Sequence, residues 1–282
     1  MTGVTNVERA VAAALDADVE ETVELEGGEV GSVSRVTLST GRTVVAKRGE
    51  TPLTVEARML GVLDDHGLPV PGVEYASDPL LVLADVPGDG AVTPAVERSV
   101  ARHLAALHDA TADQYGFPFD SLSGPYRKPN PWTDSWVRFY REQRLLPLAR
   151  ATRDECRLSP SVFDRIRALA GDLDDLLPDD PPASLIHGDV WGENLVVGED
   201  AVTFLDPACA FVHAEVELAY VDFVGFDGAF FETYRAERGI REGFRERRRD
   251  VYAVYPLLEH VRYFDEDGYR TRLSTVLDRL GY

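Results

Sequence analysis

The sequence predicts an α+β protein of two lobes, an N-terminal antiparallel sheet lobe with one key helix and a larger, mainly helical C-terminal lobe. Three observations carry this. Short alternating or apolar runs separated by glycine and proline turns fill the chain up to Val86. From Thr93 onward, helical apolar spacing dominates. That helical region is interrupted once, by A-S-L-I at Ala183–Ile186, which leads into His187-Gly188-Asp189, and V-T-F-L at Val202–Leu205, which leads directly into Asp206. We therefore expect an N-terminal lobe over residues 1–86 and a C-terminal lobe over 87–282.

Length and composition set the outer limits. A chain of 282 residues is long for one core and suits two lobes. Its hydrophobic fraction of 44% supports a sizeable interior. No apolar run approaches the ~18 residues of a membrane span, and Met1–Glu8 lacks a basic-then-apolar leader pattern. A cytoplasmic location follows as the expectation. Cys156 and Cys209 make neither a disulfide framework nor a zinc site and read as small packed hydrophobes. The net charge of -20 argues against nucleic-acid and anionic-membrane partners. Lysine occurs only as Lys47 and Lys128, against many arginines. Dense acid with little lysine looks halophilic, since molar salt screens charge over about 3 Å. A lysine kept in an apolar strand of such a chain is not generic surface charge.

Val7, Val11, Ala14 and Leu15 space a first helix, and Val19–Leu25 alternates as a half-exposed strand. A glycine-rich turn with Gly28, Gly31 and Ser32 leads into strands at Val33–Leu38 and Arg42–Lys47, joined by a Ser39-Thr40-Gly41 hairpin. Glycines there let backbone N–H groups approach phosphates, although most such turns are plain hairpins. The chain holds no G-x-x-x-x-G-K-S/T, which argues against a Walker-type loop. Lys47 closes the apolar run T-V-V-A-K. Glu56 falls in the first turns of an amphipathic helix over Pro52–Leu63, in reach of Lys47; the bland reading is a glutamate placed for the helix dipole. Strands at Val73–Ala76 and Leu80–Leu83 follow. The second runs into Ala84 and Val86, whose backbone groups suit an adenine edge.

Thr93-Pro94 is an N-cap followed by a first-turn proline, opening a helix over Val96–His108. His103 and His108 read as surface or packing residues. Trp132 opens an aromatic- and arginine-rich helix that is either a packing stripe or one wall of a polar pocket. Ser161–Leu177 is helical up to Pro178. Phe211–Tyr220 reads as the start of the next helix, and helices continue to Tyr282. Arg241–Arg249 is interleaved with glutamate and reads as a solvated helix face.

The chemistry concentrates in H-G-D-V-W-G-E-N at His187–Asn194, with Asp206 after the next apolar run. Two carboxylates and an amide at neighbouring strand ends provide hard oxygen ligands for Mg2+ and a group to orient a hydroxyl, the equipment of phosphoryl transfer. Asp189 is the candidate base; Asn194 and Asp206 are the candidate metal ligands. Zinc needs three or four clustered ligands, and no second histidine has suitable local spacing. His187 reads as a brace for the loop. Trp191 either packs beneath the loop or faces a sugar.

These residues resemble the catalytic core of the protein-kinase-like small-molecule kinases, a group that includes aminoglycoside and choline kinases; the strand ending at Lys47 resembles the kinase V-A-I-K strand. Within that group the chain is most similar to the fructosamine kinase (ketosamine-3-kinase) family. The likeness includes D-P-A at Asp206–Ala208, H-x-E-x-E-L-A at His213–Ala219, P-N-x-W-T-D-x-W-V-x-F at Pro129–Phe139, Q-R-L-L-P at Gln143–Pro147 and Tyr252–His260. It implies a bilobal protein-kinase-like fold and an ATP-dependent kinase acting on the sugar of a free or protein-bound ketosamine, in deglycation. It implies that Lys47, held by Glu56, meets the nucleotide phosphates under Gly28, Gly31 and Ser32. Substrate contacts would involve Trp191, His213, Glu215 and Trp132. The chain departs from many relatives at Glu29, Ala84 and Gly192-Glu193; none of these removes a catalytic group. Two other readings stand beside this one: a same-fold kinase of another small alcohol, aminoglycoside- or choline-like, and a nucleotide-binding module without turnover. Intact Lys47, Asp189, Asn194 and Asp206 weigh against the module.

Overall fold

The computed structural model describes residues 6–25, 31–124, 126–199 and 201–282. In chain order the elements are α1 (Asn6–Leu15), β1 (Val19–Leu25), β2 (Gly31–Leu38), β3 (Thr43–Gly49), α2 (Leu53–Asp65), β4 (Val73–Ser77), β5 (Leu80–Ala84), α3 (Pro94–His108), β6 (Thr111–Ala112), β7 (Ser121–Ser123) and β8 (Tyr126–Lys128). There follow α4 (Trp136–Phe139), which continues through a π-helical stretch into α5 (Leu146–Asp154), then α6 (Pro160–Gly171), α7 (Leu173–Leu176), β9 (Ala183–Ile186), β10 (Leu195–Val197), β11 (Val202–Phe204), β12 (Ala210–His213), α8 (Glu215–Phe223), α9 (Gly228–Glu237), α10 (Arg249–Phe264) and α11 (Asp267–Leu280).

The chain forms two compact units. The first comprises Met1–Val92, Ser121–Arg127 and Gly192–Ala208; the second comprises Thr93–Asp120, Lys128–Trp191 and Cys209–Tyr282. The first therefore extends past Val86 and takes in a segment far along the chain. Its centre is a five-stranded antiparallel sheet in the order β1-β2-β3-β5-β4. The two-residue period of β3 sends Val44 and Ala46 to one face, where they pack with Val11, Val36, Leu38, Leu80 and Val82 beneath α1. Leu81 and Leu83 of β5 face the other way and pack with Leu53 and Leu60 of α2. Each such buried Leu or Val stabilises the fold by about 1.5–3 kcal/mol.

In the second unit, β12, β9 and β6 form an antiparallel sheet, and α3 packs on α9 while α10 packs on α8 and α11. Its core holds Trp136, Tyr140 and Tyr252, each fully buried. Thr93 caps α3, its side chain accepting the Val96 N–H.

Three expectations change. The helix expected from Trp132 begins at Trp136, because Ser135 caps it through the Arg138 N–H, and Trp132 lies in the preceding loop. Phe211–His213 is not helix but strand, paired to Ala183–Leu185. Cys209 is buried but Cys156 is exposed.

Candidate active site

Lys47 sits in mid-sheet, paired with Val33 of β2 and Leu81 of β5. The pleat turns it to the face opposite Val44 and Ala46, the face covered by α2. In α2, Glu56 is spaced with Leu53, Ala57 and Leu60 on the helix stripe that meets the sheet. The two side chains therefore meet: Lys47 Nζ donates to Glu56 Oε1 at 2.7 Å, with 13% and 16% of the side chains exposed. Lys47 Nζ also donates to Asp206 Oδ1. Burial opposes the Lys47 charge, but attraction to Glu56 and then Asp206 outweighs it and raises its pKa. Burial pushes the Glu56 carboxyl up to about 7, against the pull of Lys47 and with the Asp206 charge adding to the rise. The ammonium is a fixed cation at neutral pH, oriented by one carboxylate and shared with a more exposed one.

Asn194 and Asp206 are brought together by the β10–β11 hairpin, in which Leu195 pairs with Phe204. Just beyond that pair, the Leu205 N–H donates to the Asn194 carbonyl at 2.9 Å. Asn194 is buried; the Asp206 side chain is 47% exposed. Asp206 has φ +53°, a left-handed conformation that aspartate tolerates better than most residues. An amide oxygen and a carboxylate are hard donors that fit Mg2+. Among the described residues no three His, Cys, Asp or Glu side chains gather as a metal cage. A two-ligand site of this kind suits Mg2+, which keeps waters and takes phosphate oxygens as its remaining ligands.

Asp189 belongs to the second unit. It follows Gly188, whose φ of +89° is open to glycine. The loop is held from beneath by Glu217, which accepts the Gly188 N–H at 2.6 Å and the His187 N–H at 3.3 Å. The same carboxylate meets His108 Nε2 at 2.8 Å, and His108 Nδ1 meets the Tyr234 hydroxyl at 2.7 Å. Burial would raise the Glu217 pKa, but His108, His187 and the Gly188 amide reverse this and hold it below the usual range. His187 is fully buried within this network, and its Nδ1 accepts the Asp189 N–H at 3.3 Å. Tyr220, one turn along α8 from Glu217, donates to Asp189 Oδ1 at 2.5 Å.

Gly28 lies outside the described residues. Gly31 pairs with Gly49, and a Cβ on it would stand 2.0 Å from the Arg48 carbonyl oxygen, so strand packing alone demands glycine there. Ser32 is half-buried opposite Arg48. Ala84 and Val86 are half-buried, and the Ala84 N–H is engaged by the Gly72 carbonyl at 2.8 Å. Trp191 is half-buried. Trp132 is 43% exposed, its ring 6.1 Å from that of Phe211. His213 is buried against the Tyr252 hydroxyl at 2.8 Å. Glu215 is buried and takes a bidentate pair from Arg248 at 2.6 and 2.7 Å, so one arginine of the expected solvated face turns inward.

Sequence reasoning missed Glu217, His108 and Tyr220. A second glutamate amid the apolar residues of E-V-E-L-A was a readable signal of a buried carboxylate for Glu217. Nothing local marked the other two.

The lysine–glutamate pair on sheet and helix, the hairpin carrying Asn and Asp, and the H-G-D loop are carried on a protein-kinase-like fold. The fold agrees: an ADP-bound aminoglycoside phosphotransferase superposes over 98% of this chain and 97% of its own with a TM-score of 0.66 at 13% identity, a likeness of fold alone. The family model for fructosamine kinase matches residues 6–281, and the chain belongs to that family. A Thermobifida fusca structure named as a fructosamine-3-kinase is 29% identical, with a TM-score of 0.89 over 98% of this chain and 99% of that one. A Thermus thermophilus protein named as a ketoamine kinase is 33% identical over 87% of this chain and 88% of its own. Five further relatives, named as ketoamine kinase or protein-ribulosamine 3-kinase, are matched over only 54–60% of their own length.

Proposed function

We propose that this protein is an ATP-dependent kinase that phosphorylates a sugar hydroxyl of a ketosamine. The observation that carries the reading is the Lys47–Glu56 pair at 2.7 Å with Asp206 on the same ammonium. Family membership and the names of the relatives support the acceptor class.

In this reading Lys47 binds the nucleotide phosphates, and Glu56 keeps its ammonium aimed at them. Gly28, Gly31 and Ser32 cover the phosphates, and the backbone of Ala84 and Val86 meets the adenine. Asn194 and Asp206 would hold Mg2+, which would supply charge neutralisation on the transferred phosphoryl group. Asp189 receives the acceptor hydroxyl. Its carboxylate takes the proton as the sugar oxygen bonds to the γ-phosphorus and the bond from that phosphorus to the bridging oxygen breaks, leaving ADP. The transition state is loose, so positioning and electrostatics account for most of the rate. Trp191 and Trp132 offer aromatic faces to the substrate, whereas His213 and Glu215 act through the partners they already hold. We place nucleotide binding in residues 1–86 and acceptor binding in 87–282. Deglycation in a salt-rich cytoplasm is the physiological setting this implies. None of the described helices is long and apolar enough to cross a membrane.

The test is incubation in molar potassium chloride with Mg2+, ATP and a small fructosamine or ribulosamine, followed by mass spectrometry of the sugar phosphate. Product from the wild type and none from Asp189→Asn is the expected result. ATP binding without product would shift the acceptor to another alcohol. Neither binding nor product would overturn the kinase reading.

A further inference from the structure

Tyr220 has no role in the reading above, yet its hydroxyl is 2.5 Å from Asp189 Oδ1. Packing does not ask for that hydroxyl. The ring is half-buried and lies against Phe223, centroids 6.2 Å apart, where phenylalanine would fill the same space. Burial first, and then the charge of Asp189, push the phenol well above its ordinary range, so it stays a donor at neutral pH. A hydrogen bond to a charged carboxylate is about twice as strong as a neutral one and fixes the acceptor's orientation.

We propose that Tyr220 is a positioning residue for phosphoryl transfer: its hydroxyl bonds Oδ1 and fixes the plane of the Asp189 carboxylate, and with it the line along which the acceptor hydroxyl approaches. The inference rests on the reading of Asp189 as the group that receives the acceptor. A ketosamine sugar offers several hydroxyls, and water offers another. A carboxylate free to turn about its Cβ–Cγ bond has two equivalent oxygens and can receive any of them. A carboxylate held in one plane favours one line of approach. Proton transfer to the carboxylate then accompanies formation of one O–P bond, and misdirected transfer to water is suppressed.

The experiment compares the wild type with Tyr220→Phe and Phe223→Leu in ATP, Mg2+ and a ketosamine. It measures kcat, both KM values, melting temperature and ATP consumed per sugar phosphate formed. Loss of the hydroxyl should lower kcat about 10- to 100-fold, the worth of a hydrogen bond to a charged group. The KM for ATP should stay within about twofold, and more ATP should be hydrolysed per product. Phe223→Leu loosens the ring without touching the hydroxyl and should keep wild-type kcat and stoichiometry. Wild-type kcat and stoichiometry in Tyr220→Phe overturn the inference. So does an equal loss in Phe223→Leu, which would make the role one of packing. A wild type that transfers to no ketosamine overturns the underlying reading and the inference with it.

Discussion

Glu217 accepts the backbone N–H of Gly188 at 2.6 Å from a position 29 residues further along the chain. One fully buried carboxylate thereby ties α8 to the loop that presents Asp189, and through His108 it also ties in α3. Truncation would leave two amides and an imidazole edge buried with no acceptor. Glu217→Ala should cost about 3–5 kcal/mol, read as a shift of the urea midpoint. Glu217→Gln keeps one acceptor oxygen and should cost less, about 1–3 kcal/mol.

The Lys47 ammonium is a different kind of element, because its partners already hold it in place. Lys47→Met should lower kcat/KM for ATP about 100-fold or more, as removal of one preorganised charge does elsewhere. Glu56→Gln leaves the cation but loosens its aim and should lower kcat/KM about 10-fold. Steady-state kinetics with varied ATP separates the two. An unchanged Lys47→Met enzyme would contradict the phosphate role.

His213 gives stability a pH dependence. Burial, followed by the charges of Arg248, Arg241 and Arg238, holds its pKa well below the ordinary histidine value of 6.5. Below pH 6.5 the unfolded chain binds a proton that the folded protein refuses. Stability is therefore full above about pH 6.5 and falls as pH drops, by up to ~1.4 kcal/mol per pH unit for this one group. Glu217 acts lower. Its depressed pKa contributes stability above the unfolded value of 4.5, which is lost as pH falls through the folded value. Melting temperatures from pH 8 to 5 should show the first loss, and His213→Gln should flatten it.

Gly31→Ala should separate β2 from β3 at the Gly49 pair, since the new methyl would meet the Arg48 carbonyl oxygen at 2.0 Å. Overpacking of this kind costs about 1–3 kcal/mol. Amide hydrogen exchange along β3 would show whether the opening spreads toward Lys47.

Much of this was legible in the residues. The alternation of Thr43–Lys47 and the helical spacing of Leu53, Glu56 and Leu60 suffice to bring Lys47 and Glu56 onto facing sides of sheet and helix. The Asn194–Asp206 hairpin is likewise local, two short apolar runs with a turn between them. Phe211–His213 was misread because a short apolar run fits helix and strand equally well, and only its pairing with Ala183–Leu185 decides. The start of α4 shifted because Ser135, not Trp132, supplies the cap. Placing Gly192–Ala208 with the first unit depends on contacts across a long stretch of chain, as do the partners of Glu217, Tyr220 and Arg248. No periodicity encodes those.

The scarcity of lysine has a chemical consequence. Reducing sugars condense with free primary amines, not with guanidinium groups. The chain's two lysines each show 13% of the side chain: Lys47 is clasped by Glu56 and Asp206, and Lys128 lies 3.5 Å from Glu259 and over the Tyr255 ring. Nearly every other side-chain cation is arginine. With the proposed function, the protein would handle ketosamines while offering sugars almost no side-chain amine of its own, and would be poorly suited to becoming its own substrate.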